Sequence, residues 1–155
     1  MATARTRDRM LALLQRVTHA RVDVGVETIG AIDVGLLVLV GIEPGDGAAQ
    51  VARMAERLLG YRVFADAAGR MNRSVTDVAG DLLLVSQFTL AADTSSGMRP
   101  GFSTAAPPER AEPVFNQLVE TCRARHAGRV ETGRFGAHMV VSLANDGPVT
   151  FLLRA

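Results

Sequence analysis

The run Leu82-Leu83-Leu84-Val85 constrains this chain more than any other stretch. Four consecutive aliphatic residues behind Gly80-Asp81 offer water no polar face, so they read as a strand buried on both sides. The run then breaks into Ser86-Gln87 and resumes through Phe88-Thr89-Leu90. Ser86, Gln87 and Thr89 bring two hydroxyls and a carboxamide into four positions. Unpaired, each polar group would cost on the order of 1–3 kcal/mol. They are either hydrogen-bonded scaffolding or the floor of a site.

The strand needs partners, and the chain supplies them. At 155 residues it is one domain by length, able to bury a core without disulfide staples. Its single cysteine, Cys122, falls on the apolar stripe of a helix and reads as core, and cysteine usage this sparse suits a reducing compartment, the cytoplasm. All 17 basic residues are arginine and net charge is only +1, so no global attraction to nucleic acid is implied. No apolar run approaches the roughly 18 residues that span a bilayer. Arg5, Arg7 and Arg9 precede Met10-Leu11-Ala12-Leu13-Leu14, an apolar stretch too short for a signal peptide. Residues 1–9 are expected to be a disordered extension, and residues 10–155 the domain.

Three aliphatic runs, 10–17, 20–26 and 36–42, read as sequential antiparallel strands separated by Thr18-His19 and a turn region at Gly30 to Gly35. Arg16 ends the first, either at the sheet rim or pinned to a carbonyl or carboxylate. Val51, Met54, Ala55, Leu58 and Tyr61 recur at one helix face, with Gly60 placed to end that helix in the left-handed conformation. Residues 62–64 read as a short strand and 72–78 as a stretch of weak strand character. Residues 91–101 are a loop by composition. A second helix follows Pro107-Pro108, and Pro113 predicts either a start near Glu112 or a kink. Residues 123–129 read as a polar turn, while 138–143 and 149–153 read as two last strands. Gly147-Pro148 lies between them, where proline belongs at an edge or a bulge.

Most catalytic signatures are missing. The chain has no lysine for a phosphate loop, no Gly-x-Gly-x-x-Gly behind a strand and no Gly-x-Ser-x-Gly around Ser86. His19, His126 and His138 lack metal-ligand spacing and are assigned to surface or core, with no metal or cofactor expected. What is left is a site of hydroxyls, a carboxamide and backbone groups.

Two motifs give that site a family. Ser86-Gln87-Phe88-Thr89-Leu90 and Asn145-x-Gly147-Pro148-x-Thr150 resemble the paired signatures of the D-aminoacyl-tRNA deacylases. Gln15-Arg16-Val17, Leu59-Gly60-Tyr61-Arg62, Met98-Arg99-Pro100-x-Phe102-Ser103 and Thr132-Gly133-Arg134-Phe135 extend the resemblance over Met10 to Leu153.

The resemblance implies a homodimeric α/β protein with antiparallel-rich sheets closing toward a barrel and two main helices. It implies a hydrolase that frees tRNA and a D-amino acid from their ester, a chiral proofreader in translation quality control that rejects L-aminoacyl-tRNA. Glycyl-tRNA mischarged on tRNA-Ala is a further implied substrate, because glycine has no side chain to exclude. Ser86, Gln87, Phe88 and Thr89 are then the catalytic segment, with the Phe88 and Thr89 N–H groups as oxyanion hole; a Thr89 nucleophile is the older alternative. Phe88 either stacks on adenine or fills core. Gly147 and Pro148, joined by a cis bond in the family, would enter the partner subunit's pocket, supported by Arg16, Asn145, Thr150 and Met98. The rival from another class is a non-catalytic nucleic-acid-binding module.

Overall fold

The computed structural model describes residues 9–155. The expected disordered extension lies outside the described residues except for Arg9, whose backbone N–H donates to Glu43 Oε2 at 2.8 Å. In chain order the elements are β1 (Leu11–Val24), β2 (Glu27–Ile32), β3 (Gly35–Gly41), α1 (Ala48–Gly60), β4 (Phe64–Ala65), β5 (Met71–Arg73), β6 (Asp81–Ser86), α2 (Pro108–Arg125), β7 (Val130–Thr132) and β8 (Val140–Arg154), with a 3-10 turn at Phe88–Ala91.

One long strand organises the sheet. β1 pairs antiparallel with β8 along one edge, and on the other edge with β3 and then β2. From β3 the sheet continues in parallel through β6 to β7. The free ends of this order meet, because Gly30 in β2 sits so close to the Thr132 carbonyl of β7 that a Cβ would collide with it. The sheet thereby closes toward a barrel, as expected, while β4 and β5 form a separate ribbon.

β6 is buried on both faces, and the two faces serve different cores. Leu82 and Leu84 point to the helix side, in a cluster with Met54, Leu58, Phe115 and Leu118 from α1 and α2. Leu83 and Val85 point into the barrel with Val17, Val22 and Leu37. Each fully buried leucine contributes about 1.5–3 kcal/mol, so the run fixes the position of everything attached to its end. Cys122 is buried in the helix-side core, and that burial pushes its thiol up to about 11. At its start the strand is anchored by buried His126, whose Nε2–H donates to the Gly80 carbonyl at 2.7 Å.

Several expected boundaries are corrected. The first two strands are one: β1 continues through Thr18-His19, both exposed, because its register with β8 shifts on either side of Val17 and absorbs the polar pair as an irregularity. Of the turn region expected at Gly30 to Gly35 only Asp33-Val34 turns: β2 runs through Gly30 to Ile32, and an additional reversal is made before it by Gly25 at φ +59°. Gly60 is the last residue of α1 without a left-handed φ, and Tyr61 caps the helix in extended conformation. The strand expected at 62–64 is Phe64–Ala65, and the weak strand at 72–78 is Met71–Arg73 followed by a turn.

α2 does not start near Glu112. Pro107-Pro108 open it, where proline's missing N–H removes no bond, and Pro113 lies inside. Pro113 and Glu109 are both exposed, so water can reach the carbonyl that proline leaves without a donor. The helix also runs on to Arg125, into the expected polar turn. Finally, the two expected last strands are one continuous β8, because Gly147-Pro148 sits where its register with β1 shifts and β8 pairs on one edge only. None of the described helices is long and apolar enough to cross a membrane.

Candidate active site

β6 delivers its polar end to a cavity of about 720 Å³. Ser86 closes the strand, and the Gln87 N–H donates to the Val40 carbonyl of β3 at 2.7 Å, which extends the ladder by one bond. The chain then tightens into the 3-10 turn, where the Leu90 N–H donates to the Gln87 carbonyl at 3.2 Å. A 3-10 turn leaves its opening N–H groups without intrahelical partners, here those of Phe88 and Thr89. Two main-chain donors are therefore presented in succession at the strand end. Gln87 Nε2 donates to Thr89 Oγ1, so the carboxamide and one hydroxyl satisfy each other.

Ser86, Gln87 and Phe88 line the cavity; Thr89 is adjacent and exposed. The opposite walls come from Phe102 to Pro108 and from Phe135 to Met139. Phe88 is 57% exposed and leans on Phe102 with centroids 5.5 Å apart, so it is a rim residue and not core. Among the described residues His138 is the one ionisable side chain on the lining. Sequence reading assigned it to surface or core and gave no role to Phe102 or Phe135. The available signal was local: Gly101, Gly133 and Gly136 flank these aromatics, and Gly136 takes φ +78° to turn the chain toward the cavity.

A second constellation forms around Gly147-Pro148, whose peptide bond is cis. Asn145 Nδ2 donates to Thr150 Oγ1 at 2.9 Å, and Asn145 Oδ1 accepts from the Val149 N–H at 3.1 Å. Arg16, 15% exposed, reaches in from β1: Nη1 donates to the Val63 carbonyl at 2.7 Å and Nε to the Asp146 carbonyl at 3.1 Å. Arg16 is thus pinned to carbonyls. The structure brings Arg16, Asn145, Gly147, Pro148 and Thr150 together but leaves Gly147 and Pro148 exposed, off the lining of the same chain's cavity. Met98 belongs to neither group; it stands 99% exposed on the loop after the 3-10 turn. Among the described residues no cluster of three His, Cys, Asp or Glu side chains could hold a metal ion.

Residues 13–154 match the family model described as D-Tyr-tRNA(Tyr) deacylase. A D-aminoacyl-tRNA deacylase of Xanthomonas campestris pv. campestris (strain 8004) is 72% identical over 145 residues, covering 94% of this chain and 99% of its own. The D-aminoacyl-tRNA deacylase of Stenotrophomonas maltophilia (strain K279a) matches with the same identity and coverage. Among solved structures, a c-Myc DNA unwinding element binding protein superposes with a TM-score of 0.90 at 41% identity, over 94% of this chain and 98% of its own. A probable eukaryotic D-amino acid tRNA deacylase superposes with a TM-score of 0.82 over 95% of this chain and 100% of its own; at 15% identity the likeness is one of fold.

Proposed function

Because this chain belongs to the D-aminoacyl-tRNA deacylases, hydrolases of the ester between a D-amino acid and tRNA, we propose that it judges handedness with main-chain atoms of Gly147-Pro148 lent across a homodimer two-fold. The observation that carries this reading is the braced but exposed Gly147-Pro148 segment, held by Arg16 and Asn145 and yet absent from its own chain's cavity. A second copy gives that segment a cavity to face. β8 supports the pairing, since among the described residues no strand pairs with its outer edge and Val140, Leu143, Phe151 and Leu152 are exposed on the strand.

In the assembled site the partner's carbonyls accept the substrate ammonium and occupy the volume an L side chain would need. Exclusion of this kind discriminates more strongly than a tolerant pocket, where one methylene is worth about 1–3 kcal/mol. Glycine has no side chain to exclude, so glycyl-tRNA, including tRNA-Ala mischarged with glycine, is a second substrate. Water attacks the ester carbonyl carbon, the negative charge collects on the carbonyl oxygen facing the Phe88 and Thr89 N–H groups, and the ribose oxygen leaves with a proton. One such donor is worth about 10²- to 10³-fold in rate. The terminal adenosine 2′-hydroxyl positions the water, and the reaction belongs where charged tRNA is, the cytoplasm.

The direct test compares purified protein on D-Tyr-tRNA, L-Tyr-tRNA and glycyl-tRNA. Rapid release from the first and third with the second spared is expected; equal rates on both tyrosyl esters would refute chiral selection. The structural neighbour described as binding a DNA unwinding element keeps a non-catalytic nucleic-acid-binding reading in view, and it predicts binding without turnover in the same assay.

Thr89→Ala separates the two chemistries. Its hydroxyl has Gln87 as partner and no activating base in hydrogen-bond contact, so the variant should keep its rate to within about tenfold, less than the effect of losing one oxyanion donor. Complete loss in a folded variant would instead establish a threonine nucleophile.

A further inference from the structure

We propose that Arg99 and Arg110 form a phosphate-binding rim beside the cavity and grip the single-stranded tRNA end whose terminal nucleoside lies against Phe88 and Phe102. This inference rests on the reading of the cavity as the ester site. The lining itself offers a polar strand end, one histidine and apolar or aromatic surface, with no cationic arginine. It suits a nucleoside and an amino acid. The phosphodiesters that follow the terminal nucleoside must therefore be met outside it.

Arg99 and Arg110 bracket in sequence the stretch Phe102 to Pro108 that builds one wall. Asp93 and Gly101 exchange two backbone hydrogen bonds, 2.7 and 2.8 Å, which pinch the loop. The pinch sets Phe102 on the wall and leaves residues 94–100, Arg99 included, exposed. On α2, Pro107, Pro108 and Ala111 face the cavity. At about 100° per residue, Arg110 falls on the flank beyond Pro107 and Glu112 on the flank beyond Pro108, while Glu109 turns away, so the cation borders one side of the cavity face and the nearest carboxylate the other. Neither arginine side chain has a hydrogen-bond or ion-pair partner among the described residues. Arg16, Arg21, Arg123, Arg129 and Arg134 all hold one, and Arg53 and Arg125, which likewise lack one, have no sequence neighbour on the cavity lining. A free guanidinium fork fits a phosphate bidentately, and arginine with aromatic platforms is the combination that holds single strands.

The experiment uses full-length Arg99→Ala/Arg110→Ala protein against two esters of the same D-amino acid, D-Tyr-tRNA and D-tyrosyl-adenosine, which lacks phosphodiesters. Arg53→Ala, on the exposed face of α1, controls for loss of surface charge. The double variant is expected to lose at least tenfold in kcat/KM on the tRNA ester, through KM, and to keep its rate on the adenosine ester. Its binding of uncharged tRNA should show a log-log salt slope shallower by about 1.4, roughly 0.7 for each lost single-strand contact. Equal loss on both esters, no loss on either, or the same loss in Arg53→Ala overturns the proposal. Wild-type protein that cleaves neither ester would refute the functional reading, and the binding slope would still decide the arginines.

Discussion

Gly147→Ala is expected to cost about 1–3 kcal/mol of stability, the range for a residue held in a sparsely populated backbone region, and to lower D-aminoacyl-tRNA hydrolysis by at least tenfold. The residue sits at φ +131°, which L side chains rarely adopt. A Cβ there would lie 2.7 Å from Val149 Cγ2, 3.0 Å from Val149 N and 3.2 Å from Arg16 Nη2. Val149 cannot retreat, being buried with its N–H held by Asn145. Relief must come from moving the Gly147-Pro148 segment or Arg16, and both displace the group proposed to enter the partner's cavity. Urea unfolding measures the first effect and kcat/KM the second. A folded variant with undiminished kcat/KM would count against the fit between this segment and the substrate.

Arg16→Ala is expected to destabilise by about 2–4 kcal/mol, since hydrogen bonds to charged groups are worth about 1.5–3 kcal/mol and the buried Val63 acceptor left bare adds to that. It should also reduce turnover more than tenfold. The guanidinium joins three segments: β1 that carries it, the Val63 carbonyl after α1, and the Asp146 carbonyl in β8. Val63 is fully buried, so water does not readily replace the lost donor there. Arg16→Lys should recover little, because one ammonium cannot span donors aimed at two carbonyls on different segments. Unfolding curves for both variants, read beside D-Tyr-tRNA hydrolysis, test this. Full activity in a folded alanine variant would reduce Arg16 to a structural residue.

Where sequence and structure agree, a single physical signal was strong. The unbroken aliphatic run of β6 could only be interior, and the polar break after it marked the cavity edge. The i, i+3, i+4 face of α1 survives as Val51, Met54, Ala55 and Leu58, all buried. Where they differ, a long-range contact overrode local pattern. Gly30 looks like a turn residue, but it is glycine because Thr132 from a distant strand passes too close for a side chain. Thr18-His19 and Gly147-Pro148 look like breaks, yet pairing with one long neighbour carries the strand through both. His138 could not be read as part of a cavity, since its placement depends on a loop packing opposite the end of β6. The proposed link between the two constellations was the least legible from the residues themselves, because Gly147 and Pro148 stand exposed and off the lining of their own chain's cavity.

β8 lines the cavity with Val141 and carries Gly147 six residues on, roughly 20 Å along an extended strand. In a two-fold assembly such a strand acts as a stiff beam shared by two workshops. If the proposed two-fold forms, damage near residue 141 would stay with the chain that bears it, whereas damage at residue 147 would be exported to the neighbour. Each chain would then depend for its stereochemical judgement on a copy of itself, and a lone subunit would hold only half of the instrument.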